Sequence, residues 1–318
     1  MITQLRQKFH DNPAMIGSII TVTCVIVIVV VKAVALYLSH SAAVLSSFVD
    51  SLSDIGLSLM TLLAIRWSMK PADEDHRFGH GKIEGISALI QAAFLMGGGA
   101  FLLLEAFGRL LNPEAMSHHA LTLALMGFSV LLSLVISKVQ HLGAEKSGSL
   151  AVKADALHYS TDTAINAGVF IVVLMDMVGW STPWLDPLCA LVVAGLMARA
   201  AYHIACSSFA MLMDQELPGD IRSRIIALIR SHPQCKGAHD VRTTISGTKY
   251  MISFDMEVEG ELSLRAAHHV AREVEQALLK EFENAEIMIH LDPFGDIEDS
   301  RHHMMHSLKS EANHDHSV

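Results

Sequence analysis

Long apolar windows alternate with short polar stretches over the first two thirds of the chain. The windows lie near residues 14–37, 43–67, 85–108, 119–139, 151–176 and 185–211. A helix that crosses the hydrocarbon core of a bilayer needs about 20 mostly apolar residues. The pattern therefore predicts an α-helical membrane domain with six transmembrane helices over residues 14–212, preceded by a polar tail over 1–13. The first window is longer than the hydrophobic region of a secretory signal sequence and no small-residue cleavage site follows it, so we expect it to remain as a span.

The last third of the chain has the shorter hydrophobic periods of a water-soluble fold. Helical spacing covers 218–231 and 262–283, whereas alternation predicts strands over 239–246, 249–258 and 286–292. The order α-β-β-α-β predicts a small α+β domain over 213–295, with a sheet backed by helices on one face. The stretch over 296–318 is polar and rich in histidine, and we expect it to be disordered.

Composition and charge agree with this division. Hydrophobic residues make up 51% of the chain and charged residues 18%, which is typical of a membrane protein with a soluble part. Lys and Arg concentrate before the first helix and around the second and fourth connections, which predicts that both termini are cytoplasmic. Residues 216–318 carry 18 acidic against 11 basic side chains, so this domain is not expected to bind nucleic acid.

Two carboxylates interrupt the second apolar window. Asp50 and Asp54 are four residues apart, which places them on one face of a helix. The fifth window holds His158 and Asp162 at the same spacing. An ionisable side chain at the centre of a bilayer costs about 2.5 to 17 kcal/mol, so such residues face a cavity or a partner and often mark function.

The two pairs are expected at the same depth. With helix starts near residues 42 and 150 and a rise of 1.5 Å per residue, each pair lies roughly 12 to 18 Å from one surface of a ~30 Å core. Three carboxylates and one imidazole without sulfur suit a tetrahedral divalent metal such as zinc. The alternative for any one of these residues is a buried polar contact between helices. Lys32, in the first window, could reach towards lipid headgroups or face a buried carboxylate, and the sequence leaves both open.

Several motifs appear in the order typical of one transporter family: "DSLSDIG", "PADEDHRFGHGK", "ADALHYSTD", "MLMD", "GAHDVRT" and "IHLDP". Over roughly residues 14–293 the chain resembles the cation diffusion facilitator family, in particular its bacterial zinc and iron efflux transporters. The resemblance implies a homodimer in the bacterial inner membrane, with a ferredoxin-like (αββαβ) cytoplasmic domain on each six-helix protomer. It also implies proton-coupled export of a divalent transition metal, with Zn²⁺ foremost and Cd²⁺ or Fe²⁺ as alternatives. Asp50, Asp54, His158 and Asp162 match the family's transport ligands.

The resemblance implies two further metal sites. The connection "PADEDHRFGHGK" holds Asp73, His76 and His80, for which the alternative is an ordinary solvated loop. The cytoplasmic domain matches the family's ligand positions at His239, His268, His290 and Asp292. It departs from the family at Asp255, where relatives often have histidine. Alternation along the strand turns Asp255 away from the apolar face, so it could still bind metal.

Two other functional classes are weighed against a transporter. A membrane metallohydrolase is disfavoured because the sequence has no H-E-x-x-H motif and no nucleophile elbow, so we expect no enzymatic activity. A membrane-anchored metal sensor or binding protein without transport would need the cytoplasmic domain alone. It would not explain four candidate ligands at the middle of the membrane.

Overall fold

The computed structural model describes residues 12–39, 42–111, 120–177 and 184–295. The predicted disordered stretch over 296–318 and most of the N-terminal tail lie outside these residues. The chain divides into two compact units, Met1–Leu212 and Met213–Val318.

The described part of the first unit contains six long helices. They are α1 (Pro13–Ser39), α2 (Ala42–Ser68), α3 (Ile83–Leu111), α4 (Ala120–Ser147), α5 (Leu150–Met177) and α6 (Leu185–Leu212). Among the described residues, α1, α2, α3, α4 and α6 are long and apolar enough to cross a membrane. Helix α5 does not meet that criterion because polar residues, among them His158 and Asp162, interrupt its apolar run. A helical transmembrane domain with five candidate spans is thus established, and the sixth span stays a prediction.

Polar side chains join these helices inside the unit. Ser58 on α2 and Tyr159 on α5 are both buried, and their hydroxyl oxygens are 2.7 Å apart. Gln91 on α3 donates to the Thr61 hydroxyl on α2 at 2.7 Å. Large apolar side chains such as Phe101 are exposed on the outside, as a surface that faces lipid requires.

The second unit is a small α+β fold. Its elements are α7 (Gly219–Arg230), β1 (Gly237–Ser246), β2 (Lys249–Val258), α8 (Leu264–Glu281) and β3 (Ala285–Pro293). The sheet has the order β1-β2-β3, with β1 and β2 antiparallel and β2 and β3 parallel. Helix α8 makes the crossover between the two parallel strands, and the Ser263 hydroxyl caps its first turn by accepting from the Ala266 N–H.

Alternation along β2 separates a covered face of the sheet from an open one. Ile252, Phe254 and Met256 are buried in one core with α7 and α8, as the apolar pattern predicts. The intervening residues of β2 therefore point to the opposite face. Charged side chains lie on that open face, where they form one of the sites described below.

Candidate metal sites

Three of the four predicted transport ligands meet between α2 and α5. The Nε2 atom of His158 lies 3.2 Å from Oδ1 of Asp54 and 3.4 Å from Oδ2 of Asp162. One ligand atom from each residue lies within 4.8 Å of the others. The side chains are largely buried, with exposed fractions of 12% for His158, 24% for Asp54 and 26% for Asp162. This α2–α5 cluster offers two oxygens and one nitrogen, a donor set that suits zinc.

Local helix geometry explains why these residues meet. His158 and Asp162 are one turn apart on α5, so both side chains point to the same side. The hydroxyl contact between Tyr159 and Ser58 holds α5 against α2 next to His158. Asp54 lies one turn before Ser58 on the same face of α2, so its side chain is next to this contact and close to His158.

Asp50 lies outside the α2–α5 cluster. Its side chain is exposed, one turn before Asp54 on the same face of α2. It is nevertheless close enough to Asp54 and Lys32 to interact with both electrostatically. Its role as a fourth ligand stays a prediction.

Sequence reasoning missed a buried carboxylate one turn before His158. Asp155 is fully buried and accepts a hydrogen bond from the Gln140 side chain on α4. The signal was present, because Asp155 lies in the same "ADALHYSTD" motif at i−3 from His158. The contact ties α4 to the helix that carries two of the ligands.

A second buried carboxylate joins three helices at the start of α5. Glu84, near the beginning of α3, is 3% exposed. Ser68 at the end of α2 donates to its Oε1 at 2.8 Å, and Ser149 donates to its Oε2 at 2.5 Å. The backbone N–H groups of Leu150 and Ala151 also donate to it. Glu84 therefore satisfies the open N-terminus of α5, where a negative charge is favourable.

The connection between α2 and α3 brings together Asp73, His76 and His80. The Asp73 carboxylate lies 3.3 Å from His76 Nδ1 and 3.2 Å from His80 Nε2. Its Oδ1 also accepts from the backbone N–H of His76 at 2.7 Å, which is the main reason that the pKa of Asp73 is lowered. Gly79 lies between the histidines with φ of +78°, a conformation that favours glycine. This loop cluster has two imidazoles and a carboxylate whose ligand atoms lie within 4.8 Å of one another, so it could hold a metal ion.

The open face of the second unit holds a third group, the sheet cluster of His239, Asp255 and Asp292. His239 pairs with Asp255 across β1 and β2. Its ring nitrogens lie 3.9 Å from Asp255 Oδ2 and 3.6 Å from Asp292 Oδ2. His239 is only 8% exposed, so the imidazole is fixed among carboxylates. Sequence reasoning had not selected Glu257, whose Oε1 lies 3.7 Å from His239 Nε2.

The other two predicted cytoplasmic ligands, His290 and His268, are not members of this cluster. The His290 side chain is 70% exposed, and its Nε2 contacts Asp292 Oδ1 at 3.1 Å. It therefore borders the sheet cluster through Asp292. His268 is exposed on α8, which packs on the covered face of the sheet. A role for His268 as a ligand stays a prediction.

Comparison with known proteins gives matches over nearly the whole chain. The family model of the cation efflux transmembrane domain matches residues 18–213, and that of the cation efflux protein cytoplasmic domain matches 217–294. The cation-efflux pump FieF of Serratia proteamaculans is 37% identical over 275 residues, which cover 86% of this chain and 91% of the relative. FieF of Shewanella oneidensis is 35% identical over 292 residues, which cover 92% and 97%.

Solved structures are also similar to part of this chain. The metal-bound C-terminal domain of the CzcD transporter from Thermotoga maritima is 34% identical. It covers 25% of this chain and 93% of its own length, with a TM-score of 0.24.

Proposed function

Because the chain belongs to the cation diffusion facilitator family of cation-efflux transporters, we propose that it exports a divalent transition metal, Zn²⁺ foremost, in exchange for protons. Its relatives are membrane transporters and not enzymes, and the same holds for this chain. Cd²⁺ and Fe²⁺ are the alternative substrates.

The α2–α5 cluster is the observation that carries this proposal. Asp54, His158 and Asp162 lie together in a unit in which five helices, α2 among them, are apolar enough to cross a membrane over the described residues. Carboxylate and imidazole ligands without sulfur favour zinc and related ions over magnesium or calcium. We propose that the metal is bound there during transport, with Asp50 as a further oxygen ligand from the next turn of α2.

Proton coupling follows from the chemistry of the imidazole. A metal binds the lone pair of a neutral imidazole, and a proton competes for the same lone pair. Imidazole changes its protonation near neutral pH, which no other ligand type in the cluster does without a perturbed pKa. A site that opens alternately to each side would therefore exchange metal for protons and use the proton gradient.

The remaining features fit the same arrangement. We propose that α5 is the sixth span, that both termini are cytoplasmic, and that the protein is a homodimer in the bacterial inner membrane. The loop cluster and the sheet cluster would then bind Zn²⁺ on the cytoplasmic side. His268 and His290 would add ligands to the latter only if the domain rearranges or a partner subunit contributes.

Metal flux into sealed proteoliposomes tests the proposed function. Zinc, cadmium, iron and manganese are offered in parallel to the reconstituted full chain under an imposed proton gradient. We expect zinc uptake that depends on the gradient. Absence of flux for all four ions would favour a metal-binding protein or sensor without transport.

Two variants make the same assay a test of the site. Asp54→Ala removes a ligand from the α2–α5 cluster and should abolish flux while the protein remains folded. Glu105→Ala changes an exposed carboxylate of α3 that pairs with Arg109 at 2.6 Å, and it should leave flux unchanged. Wild-type flux in Asp54→Ala would overturn the assignment of the cluster.

A further inference from the structure

Lys32 is the one charged residue in the sequence of α1, Pro13–Ser39. Its side chain turns towards α2, and its Nζ donates a hydrogen bond to the Ser51 hydroxyl at 2.7 Å. A lysine that served only to reach the membrane surface would extend along the lipid to a helix end. The structure thus decides between the two roles that the sequence left open, in favour of a residue that faces the interior.

Ser51 brings the lysine to the candidate transport site. It follows Asp50 directly in the chain and precedes Asp54 by three residues, so Ser51 and Asp54 lie on neighbouring positions of one helix face. The ammonium group interacts electrostatically with the carboxylates of Asp54, Asp50 and Asp162. A positive charge is therefore built into a site whose proposed cargo is itself a cation.

We propose that Lys32 is a fixed counter-charge that lowers the net negative charge of the transport site and so limits how tightly the site holds a divalent cation. The inference rests on the proposed transport function of that site. Asp50, Asp54 and Asp162 act electrostatically on Lys32, and the buried Asp155 acts on His158, Asp54 and Asp162. Each of these carboxylates contributes −1 when ionised, and Lys32 contributes the opposite charge.

The counter-charge matters because the site lies in a medium of low dielectric constant, where uncompensated charge carries a large desolvation cost. A positive charge beside several carboxylates lowers that cost in the empty site. It also opposes the attraction of the carboxylates for a divalent ion, so the ion is held less tightly.

Lys32 acts on the bound ion electrostatically and not as a ligand. An ammonium group has three donors and no lone pair, so it cannot coordinate a metal. It repels the bound ion and weakens binding, which speeds release on the far side. The hydroxyl of Ser51 holds the ammonium beside the carboxylates and keeps it from swinging to the membrane surface. The role of Lys32 is thus to place a positive charge beside the ligands.

The test compares the concentration dependence of zinc flux in proteoliposomes for the wild type and three variants. Lys32→Met removes the charge and nearly keeps the shape. The zinc concentration at half-maximal flux should fall at least about tenfold, and the maximal flux should fall as well because release becomes slow. Lys32→Arg keeps the charge and should keep both parameters near those of the wild type. Lys32→Gln can still donate to Ser51, and it provides the neutral variant if Lys32→Met does not fold.

The conservative variant separates an effect of charge from a merely structural role. Lys32→Arg keeps the positive charge with a different shape, so its half-saturating zinc concentration should lie within about threefold of the wild type, whereas both neutral variants should share the lower value. An unchanged value in the neutral variants, a loss of maximal flux alone, or a Lys32→Arg variant with the same value as Lys32→Met would each overturn the proposal. Absence of flux in the wild type would instead refute the proposed function.

Discussion

Replacement of Glu84 by alanine should destabilise the first unit more than alanine replacement of any of its exposed carboxylates. The Glu84 side chain is 3% exposed and accepts hydrogen bonds from Ser68 and Ser149. It also accepts from the first backbone N–H groups of α5, at Leu150 and Ala151. Alanine would leave all four donors without this acceptor, and water would have to enter a buried junction to replace it.

The size of the effect follows from these contacts. A hydrogen bond to a charged group contributes about 1.5–3 kcal/mol. The two serine hydroxyls can turn to nearby backbone carbonyls, whereas the backbone N–H groups of α5 are fixed in direction. We therefore expect a net loss of about 3 kcal/mol. At about 2–4 °C per kcal/mol for a chain of this size, the melting temperature should fall by roughly 6–12 °C.

Thermal unfolding of the purified full chain in one detergent measures this difference. Glu105→Ala is the matched control, because Glu105 lies on the same helix but its side chain is 41% exposed and its partner Arg109 is exposed as well. The control should melt within about 2 °C of the wild type. Glu84→Gln keeps the shape of the side chain but loses the charge and one acceptor oxygen. Its melting temperature should therefore lie between those of Glu84→Ala and Glu105→Ala. Equal melting temperatures for Glu84→Ala and Glu105→Ala would refute the reasoning.

Three further changes test the metal clusters and the cytoplasmic unit. His158→Asp makes the α2–α5 cluster all-oxygen, so manganese flux should rise about tenfold relative to zinc flux; an unchanged preference would give His158 a structural role. Asp255→His, studied in an Asp54→Ala background, should tighten zinc binding about tenfold in chelator competition, and equal affinity would show that residue 255 is not a ligand. The hydrogen bond from His232 lowers the pKa of Glu273 in the folded protein. The Glu273 carboxylate therefore stabilises the fold at a pH above its pKa in the unfolded chain. This contribution is lost as the pH falls through the lower pKa that Glu273 has in the folded state. Glu273→Gln should therefore weaken hydrogen-exchange protection of α8 at pH 7 but not at a pH below the lowered pKa of Glu273 in the folded state, and a pH-independent difference would contradict this origin.

Periodicity predicted the secondary structure closely wherever one face of an element is apolar. The strand predicted over 249–258 is observed over Lys249–Val258, and the helix predicted over 262–283 over Leu264–Glu281. The largest difference is α4, which runs to Ser147 although its apolar window ends near 139. Its last turns are polar outside but still bury Gln140 against α5, so a hydropathy window ends before the helix does.

The meeting of α2 and α5 could be anticipated because matched spacing and depth required no knowledge of packing. The helix starts assumed near residues 42 and 150 agree with Ala42 and Leu150. The contacts of Glu84 could not be anticipated in this way. Its partners Ser68 and Ser149 are 16 and 65 residues away in the chain, and serine at a helix end carries no signal of a distant acceptor.

Polar contacts join α2 to α5 around the α2–α5 cluster. Asp54 meets His158, and Ser58 meets Tyr159. Polar contacts between membrane helices contribute little net free energy each, about 0.6 kcal/mol on average, because both partners find alternatives when they separate. Such contacts can open and close without exposing a large apolar surface to water. A site that must present its ligands first to one side and then to the other needs helices joined in this reversible way. If the α2–α5 cluster binds the metal as proposed, the ion would replace the contact between Asp54 and His158 as the link between α2 and α5.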